Sequence, residues 1–183
     1  MAIPSDTALV ARARRGDGGA VEALARRHLR PAYAAALAVV GNVADAEDIA
    51  QESLMVSLQR LDQCREPARF ASWLLQGVRN RALNRLNQAR VRAGHAERVV
   101  RDEPSVADAT DVLLRQRLLG ALEQLGVAQR EVVLLHDLEG WTHGEIAGAL
   151  DISEVMSRQH LFVARRVMRN HLAKEPREEP PNG

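Results

Sequence analysis

Three groups of side chains in this sequence have the types and the spacing to do chemistry. Between Glu154 and Leu172, residues Arg158, Phe162, Arg165, Arg166 and Arg169 recur at helical intervals and share one side. A row of guanidinium groups suits the major groove of a duplex, where Arg donates to guanine edges or phosphates; it also suits a solvated basic helix in a bundle. Upstream, Asp45-Ala-Glu-Asp-Ile-Ala-Gln-Glu52 puts four carboxylates within eight residues. They complement the dipole of a helix N-terminus, and the face formed by Asp48, Gln51, Glu52 and Met55 is also of the kind that docks a basic partner. Paired carboxylates raise the idea of acid–base catalysis, but nothing around them supplies a pocket or an elevated pKa. In the third group Arg79, Arg81 and Arg85 alternate with Asn80, Asn84 and Asn87, close to Phe70 and Trp73. From Arg79 to Arg101 seven arginines stand against one glutamate. Such a stretch holds a phosphate backbone or stays a solvated face; amides among arginines beside aromatics favour contact with a single strand or its bases.

Other chemistries find no support. Cys64 is the sole cysteine, so neither an intramolecular disulfide nor a four-cysteine metal site forms. The six histidines are scattered without metal-ligand spacing, and there is no nucleophile–base pair or phosphate loop. No metal, other cofactor or small-molecule substrate is expected, and an enzymatic reading is set aside. The 183 residues accommodate one large domain or two small ones. With 46% hydrophobic but only 3% aromatic residues, Leu, Val and Ala must fill the core. A net charge of +1 argues against a general polyanion binder, so partners are met by local patches. The N-terminus lacks a basic region followed by an apolar run, and no eighteen-residue apolar stretch occurs, so a soluble cytoplasmic protein is expected.

The elements that must carry these groups are all helical. Ser5 to Leu29 reads as two helices split at Arg15-Gly16-Asp17-Gly18-Gly19, and Pro31 is placed to start the next, which ends at Gly41-Asn42. The acidic stretch opens a helix to about Leu61, with Ala50, Leu54, Leu58 and Leu61 on its buried face. A loop follows through Pro67, then a helix from Ala68 to about Ala89 whose apolar set is Phe70, Trp73, Leu74, Val78, Leu83 and Leu86. Periodicity fades between about Val91 and Ala109, which marks a linker, and Asp111 is suited to cap the next helix. Arg130 to Glu139 is an amphipathic helix with Val132, Val133, Leu135 and Leu138 apolar, stopped by Gly140. Thr142 and Glu145 form a capping box opening a short helix through Leu150. Asp151-Ile152-Ser153 is a turn, and Ser153 caps a helix from Glu154 to about Leu172 whose inner stripe is Ser157, Leu161, Ala164, Met168 and Leu172. A short helix, a tight turn and a longer helix make a helix-turn-helix. The segment from Lys174 to Gly183, with three prolines and alternating charge, reads as a disordered tail.

The order Asp45-Ala-Glu-Asp-x-x-Gln-Glu52, then Phe70-x-x-Trp73-Leu74 with Arg79-Asn80, then Leu138-Glu-Gly140, Glu145-Ile-Ala147 and Ile152-Ser-Glu154 resembles the extracytoplasmic-function sigma factors of the sigma-70 superfamily, over about residues 6 to 172. The resemblance implies an all-α protein of two small helical domains: sigma region 2 in 1–90 and region 4, with the helix-turn-helix, in 111–173. A flexible linker at 91–110 would join them, and a tail at 174–183 would follow. It implies a non-enzymatic alternative sigma factor that binds core RNA polymerase, recognises −35 and −10 promoter elements and promotes melting. Asp45, Asp48, Gln51 and Glu52 match the helix that docks on the clamp helices of the largest polymerase subunit; the flap of the second subunit is a further implied contact. The loop at 62–69, with Asp62, Gln63, Cys64 and Arg65, together with Trp73, Arg79, Asn80 and Asn84, matches the −10 elements that capture an unstacked base. Extraction of a base costs a few kcal/mol, which hydrogen bonds and stacking must return. Arg158, Gln159 and Phe162 match −35-reading positions, with Arg165, Arg166 and Arg169 alongside. An anti-sigma factor is implied as a partner, with the protein nucleoid-associated when bound to polymerase or held at the membrane by that partner.

The sequence departs from the family at Val155-Met156-Ser157, where Gly-Thr-Val is common, at Cys64, often aromatic, and at Val163, often basic. Ser157 falls on the inner stripe, so its hydroxyl is expected to forgo apolar contact and weaken the packing of the recognition helix. A one-component helix-turn-helix regulator is the competing reading, but it leaves the acidic face and the Trp73–Asn87 helix without a role.

Overall fold

The computed structural model describes residues 4–93 and 109–174. These form α1 (Asp6–Ala13), α2 (Gly18–Val40), α3 (Val43–Gln59), α4 (Phe70–Ala93), α5 (Ala109–Glu123), α6 (Val127–Val133), α7 (His143–Leu150) and α8 (Glu154–Lys174), with no strand among the described residues. Local chemistry sets most boundaries. Ser5 and Asp17 accept the Ala8 and Ala20 amide N–H groups at the starts of α1 and α2. Asn42, not the acidic run, caps α3: its Oδ1 accepts the Asp45 N–H at 2.9 Å.

Pro31 does not start a helix. It lies inside an unbroken α2, although an interior proline removes a backbone hydrogen bond and costs ~3 kcal/mol. The offset is burial: Pro31, Ala32 and every residue from Ala34 to Val39 are buried. The small side chains let α3 and α4 pack closely on α2. In α4, Leu75 and Ala82 join Phe70, Leu74 and Val78 in the core, whereas Leu83, expected inside, is exposed. The helix expected over Arg130–Glu139 starts earlier and changes pitch. After α6, a π-helical turn spans Leu134–Leu138, and the Glu139 N–H reaches back to the Leu134 carbonyl at 3.2 Å. The wider turn rotates Leu138 off the apolar stripe, and it is half exposed. Asp111 lies inside the first turn of α5 and is not its cap.

The two halves are packed together. α6 and the π-helical turn rest on α2, and α7 rests on α4, so buried residues from Leu9 to Ala164 form one apolar cluster. Polar groups stitch the seam: the Ser72 hydroxyl donates to the Ala149 carbonyl at 3.3 Å, and Arg30 Nε donates to Glu139 Oε1 at 3.3 Å. Of the expected linker, residues 94–108 lie outside the described residues, as do 175–183 of the expected tail; the flanking positions 91–93, 109–110 and 174 are helical.

Candidate nucleic-acid and polymerase interface

The helix-turn-helix is built from short-range bonds. The Thr142 hydroxyl accepts the Glu145 N–H at 3.3 Å, and the Glu145 carboxylate accepts the Thr142 N–H at 2.8 Å. Asp151 takes a left-handed conformation at φ 57°, which a short polar side chain tolerates. The Met156 N–H then donates to Ser153 Oγ at 3.1 Å and opens α8. Leu161 and Ala164 are buried and Met168 and Leu172 half-buried, while Arg158, Gln159, Phe162, Arg165, Arg166 and Arg169 are exposed. Phe162, at 67% exposure, sits under the Arg166 guanidinium, 5.8 Å from the ring centroid. This is an aromatic–cation platform on an outward face. Arg158 pairs with Glu154 at 2.7 Å. Arg165 is held differently: Nε donates to Asp137 Oδ2 at 3.0 Å and Nη2 to Oδ1 at 2.5 Å. That bidentate bond keeps the Asp137 carboxyl below the usual range.

Ser157 corrects an expectation. It is fully buried, but its Oγ shares a 2.9 Å hydrogen bond with His143 Nδ1 on α7, so the hydroxyl is satisfied and ties the two helices of the motif together. Burial, then the neighbouring His136 and Arg158, hold His143 below the usual histidine range, so the neutral imidazole makes this bond at neutral pH.

On α3, Asp48, Gln51, Glu52 and Met55 are exposed along one face and Asp45 is half-buried. Two arginines of α4 reach this face, Arg81 to Glu52 at 2.9 Å and Arg85 to Asp45 at 2.7 Å. Exposed ion pairs of this kind are worth about 0–1 kcal/mol, so a partner's charges can displace them at little cost. The 3₁₀ turn Leu61–Gln63 follows α3, and there Leu61 and Cys64 face inward while Asp62, Gln63 and Arg65 face solvent. Cys64 therefore differs from the expected DNA-facing residue: its thiol is buried and donates to the Glu66 carbonyl at 3.5 Å, and its backbone N–H donates to the Leu61 carbonyl at 3.0 Å. Burial pushes that thiol's pKa up. Asn80 and Asn84 are exposed on α4, and Trp73 is half-buried against Phe70 with ring centroids 6.1 Å apart.

Arg79 is engaged within the chain. Its Nε lies 2.9 Å from Oε1 of Glu131, a carboxylate only 1% exposed. The approach is too oblique for a hydrogen bond, and both Glu131 oxygens are buried without one. Burial dominates, against the pull of Arg79 and Arg130, and lifts the Glu131 pKa to about 7. Sequence reading missed Glu131, although a signal was present: it is a carboxylate in line with Val127, Leu134 and Leu135 on an apolar stripe.

Residues 24–92 match Sigma-70 region 2 and residues 115–168 match Sigma-70, region 4. The ECF RNA polymerase sigma factor SigL of Mycobacterium tuberculosis is 32% identical over 166 residues, covering 86% of this chain and 94% of SigL. The chain belongs to the ECF RNA polymerase sigma factors. Sigma factors are promoter-recognition proteins of transcription initiation, and that is the class of this one. The RNA polymerase sigma factor CarQ of Myxococcus xanthus is 33% identical to this sigma factor over 149 residues, 80% of this chain and 86% of CarQ. A probable RNA polymerase sigma factor, RfaY of Xanthomonas campestris, is 36% identical over 147 residues, 76% of this chain but 37% of RfaY's length. The fold is that of CnrH solved in complex with the cytosolic domain of CnrY, at a TM-score of 0.66 and 23% identity, covering 94% of this chain and all of that one. It is also that of RpoE solved with the anti-sigma factor NepR from Bartonella quintana, at 0.60 and 19%, covering 83% and 96%. Among the described residues no helix is long and apolar enough to cross a membrane.

Proposed function

We propose that this sigma factor uses three separate faces for three steps of initiation. The acidic face Asp45, Asp48, Gln51 and Glu52 docks on core RNA polymerase. The outward row of α8, led by Arg158, Gln159, Phe162 and Arg166, reads the −35 duplex, with Arg165 and Arg169 on its flank. The turn bearing Asp62, Gln63 and Arg65, with Trp73, Asn80 and Asn84 of α4, takes the −10 element, and Arg79 joins them once it has left Glu131. The observation that carries the reading is the clean division of α8: a buried stripe fixed to α7 on one side, and exposed arginines with an aromatic on the other. The one-component regulator reading gives no purpose to an exposed acidic face on α3, and the family assignment replaces it.

The packed arrangement is a resting form in this reading. Elements centred near −35 and −10 are about 25 base pairs apart, roughly 85 Å at 3.4 Å per base pair. α4, with 24 residues, is only about 36 Å long at 1.5 Å per residue. The two halves must separate to reach both elements. An apolar groove between α2, α5 and α8, lined by Leu37, Leu118, Leu134, Met168 and Leu172 and flanked by Arg115 and Arg169, suits an amphipathic helix with acidic edges. We assign it to an anti-sigma factor, supported by the two structural neighbours solved with bound partners. Run-off transcription with core polymerase on a library of genomic fragments tests the function: discrete promoter-dependent transcripts are expected, and core polymerase that gains no promoter specificity would refute it.

A further inference from the structure

Arg14, at the end of α1, reaches across the first unit to the segment between α3 and α4. Its Nη2 and Nε donate to the Leu61 carbonyl at 2.8 and 3.3 Å, and Nη2 also donates to the Cys64 carbonyl. The Asp62 carboxylate lies 3.9 Å from Nε with its side chain 93% exposed. One guanidinium therefore clamps two carbonyls three residues apart in a segment that has few backbone bonds of its own: Gln63 N–H to the Arg60 carbonyl at 2.9 Å and Cys64 N–H to the Leu61 carbonyl at 3.0 Å. The clamp lies on the inner side, where Leu61 and Cys64 are buried. Holding those two residues in forces the intervening and following side chains, Asp62, Gln63 and Arg65, out into solvent. A planar fork with several fixed donors can bridge both carbonyls; a lysine ammonium on its flexible stem cannot reproduce that geometry.

We propose that Arg14 is a positioning residue for −10 recognition: it fixes the backbone of residues 61–65 so that Asp62, Gln63 and Arg65 meet the unstacked base without first having to be ordered. The inference rests on the assignment of this turn to the −10 element. It acts through the turn and makes no contact with DNA itself.

The test uses holoenzyme assembled from core polymerase and the full chain carrying Arg14→Lys, Arg14→Gln, or the double substitution Asp62→Ala with Gln63→Ala. The probe is a single-stranded non-template oligonucleotide bearing the −10 sequence of a promoter that the wild-type holoenzyme melts, and its single-base variants. Core affinity of each variant confirms a folded molecule, and Arg14→Lys, which keeps the cation beside Asp62, decides the matter should Arg14→Gln not assemble. Both Arg14 variants are expected to bind core as the wild type does and to lose about tenfold in oligonucleotide affinity, the scale set by ordering one backbone residue on binding. Discrimination among the base variants should narrow with it, which a general loss of stability would not produce. Wild-type affinity and discrimination in Arg14→Lys, with both lost in the double substitution, would overturn the positioning role and leave the turn assignment standing. Unchanged binding by the double substitution would remove the turn from −10 recognition, and the role of Arg14 with it.

Discussion

Glu131→Gln replaces a buried carboxylate at the seam between the two halves with a neutral group of the same shape. In the folded chain the Glu131 pKa is raised from 4.5 to about 7, chiefly by burial. Between those values the native state binds a proton that the unfolded chain has released. The stabilisation from the protonated form is fully present below pH 4.5 and is lost as pH rises through about 7. A rise of that size corresponds to about 3 kcal/mol at 1.36 kcal/mol per pKa unit. For a chain of this length that is roughly 6–12 °C in melting temperature. Glutamine carries no charge at any pH, so Glu131→Gln should not show this decline. Calorimetric melting of both proteins from pH 4.5 to 8.5 provides the check. Other groups titrate alike in the two proteins, so the difference between the profiles isolates Glu131: small at the acid end, and growing to favour the glutamine variant by several degrees above pH 7. A difference that stays constant across the range would show that Glu131 does not hold a shifted proton, and the account of a buried, poorly bonded carboxylate would be wrong. The same arithmetic predicts looser packing of the two halves at alkaline pH.

Reversing Asp48 and Glu52 together to Arg should weaken binding to core polymerase by about a hundredfold, because juxtaposed like charges cost several kcal/mol, while loss of the solvent-open Arg81–Glu52 pair lowers the melting temperature by only a few degrees. Continued co-purification with core polymerase would refute the docking assignment. Asn80→Ala should impair promoter melting, read by permanganate reactivity, about tenfold more than duplex binding, since a base presents its edge only once unstacked; equal losses in the two assays would count against the residue's role. Ser157→Val should lower the melting temperature by a few degrees, because His143 loses its partner, at a net cost of about 1 kcal/mol. A higher melting temperature would mean that valine's apolar contact outweighs the hydrogen bond.

Features that depend on neighbours within a few residues were legible in the sequence. The Thr142–Glu145 capping box, the Ser153 cap, the left-handed Gly140 at φ 73° and the two faces of α8 follow from spacing and side-chain chemistry alone. So did the exposed line of Asp48, Gln51 and Glu52, which a 3.6-residue period separates from Leu54. Features set by partners distant in the chain were not. Pro31 continues α2 because α3 and α4 bury the residues around it, an energy no local propensity contains. Leu83 and Leu138 carry apolar side chains at helical spacing yet face outward, since the neighbouring helices and the π-helical turn decide which part of a stripe is covered. Ser157 looked unsatisfied until His143, fourteen residues earlier, was placed against it. Glu131 stands on an apolar stripe in the sequence, but only the packing of α6 on the first half removed its water and raised its pKa. Periodicity and capping energies act over one or two turns of chain, whereas desolvation and cross-helix bonding exist only once distant segments share a core.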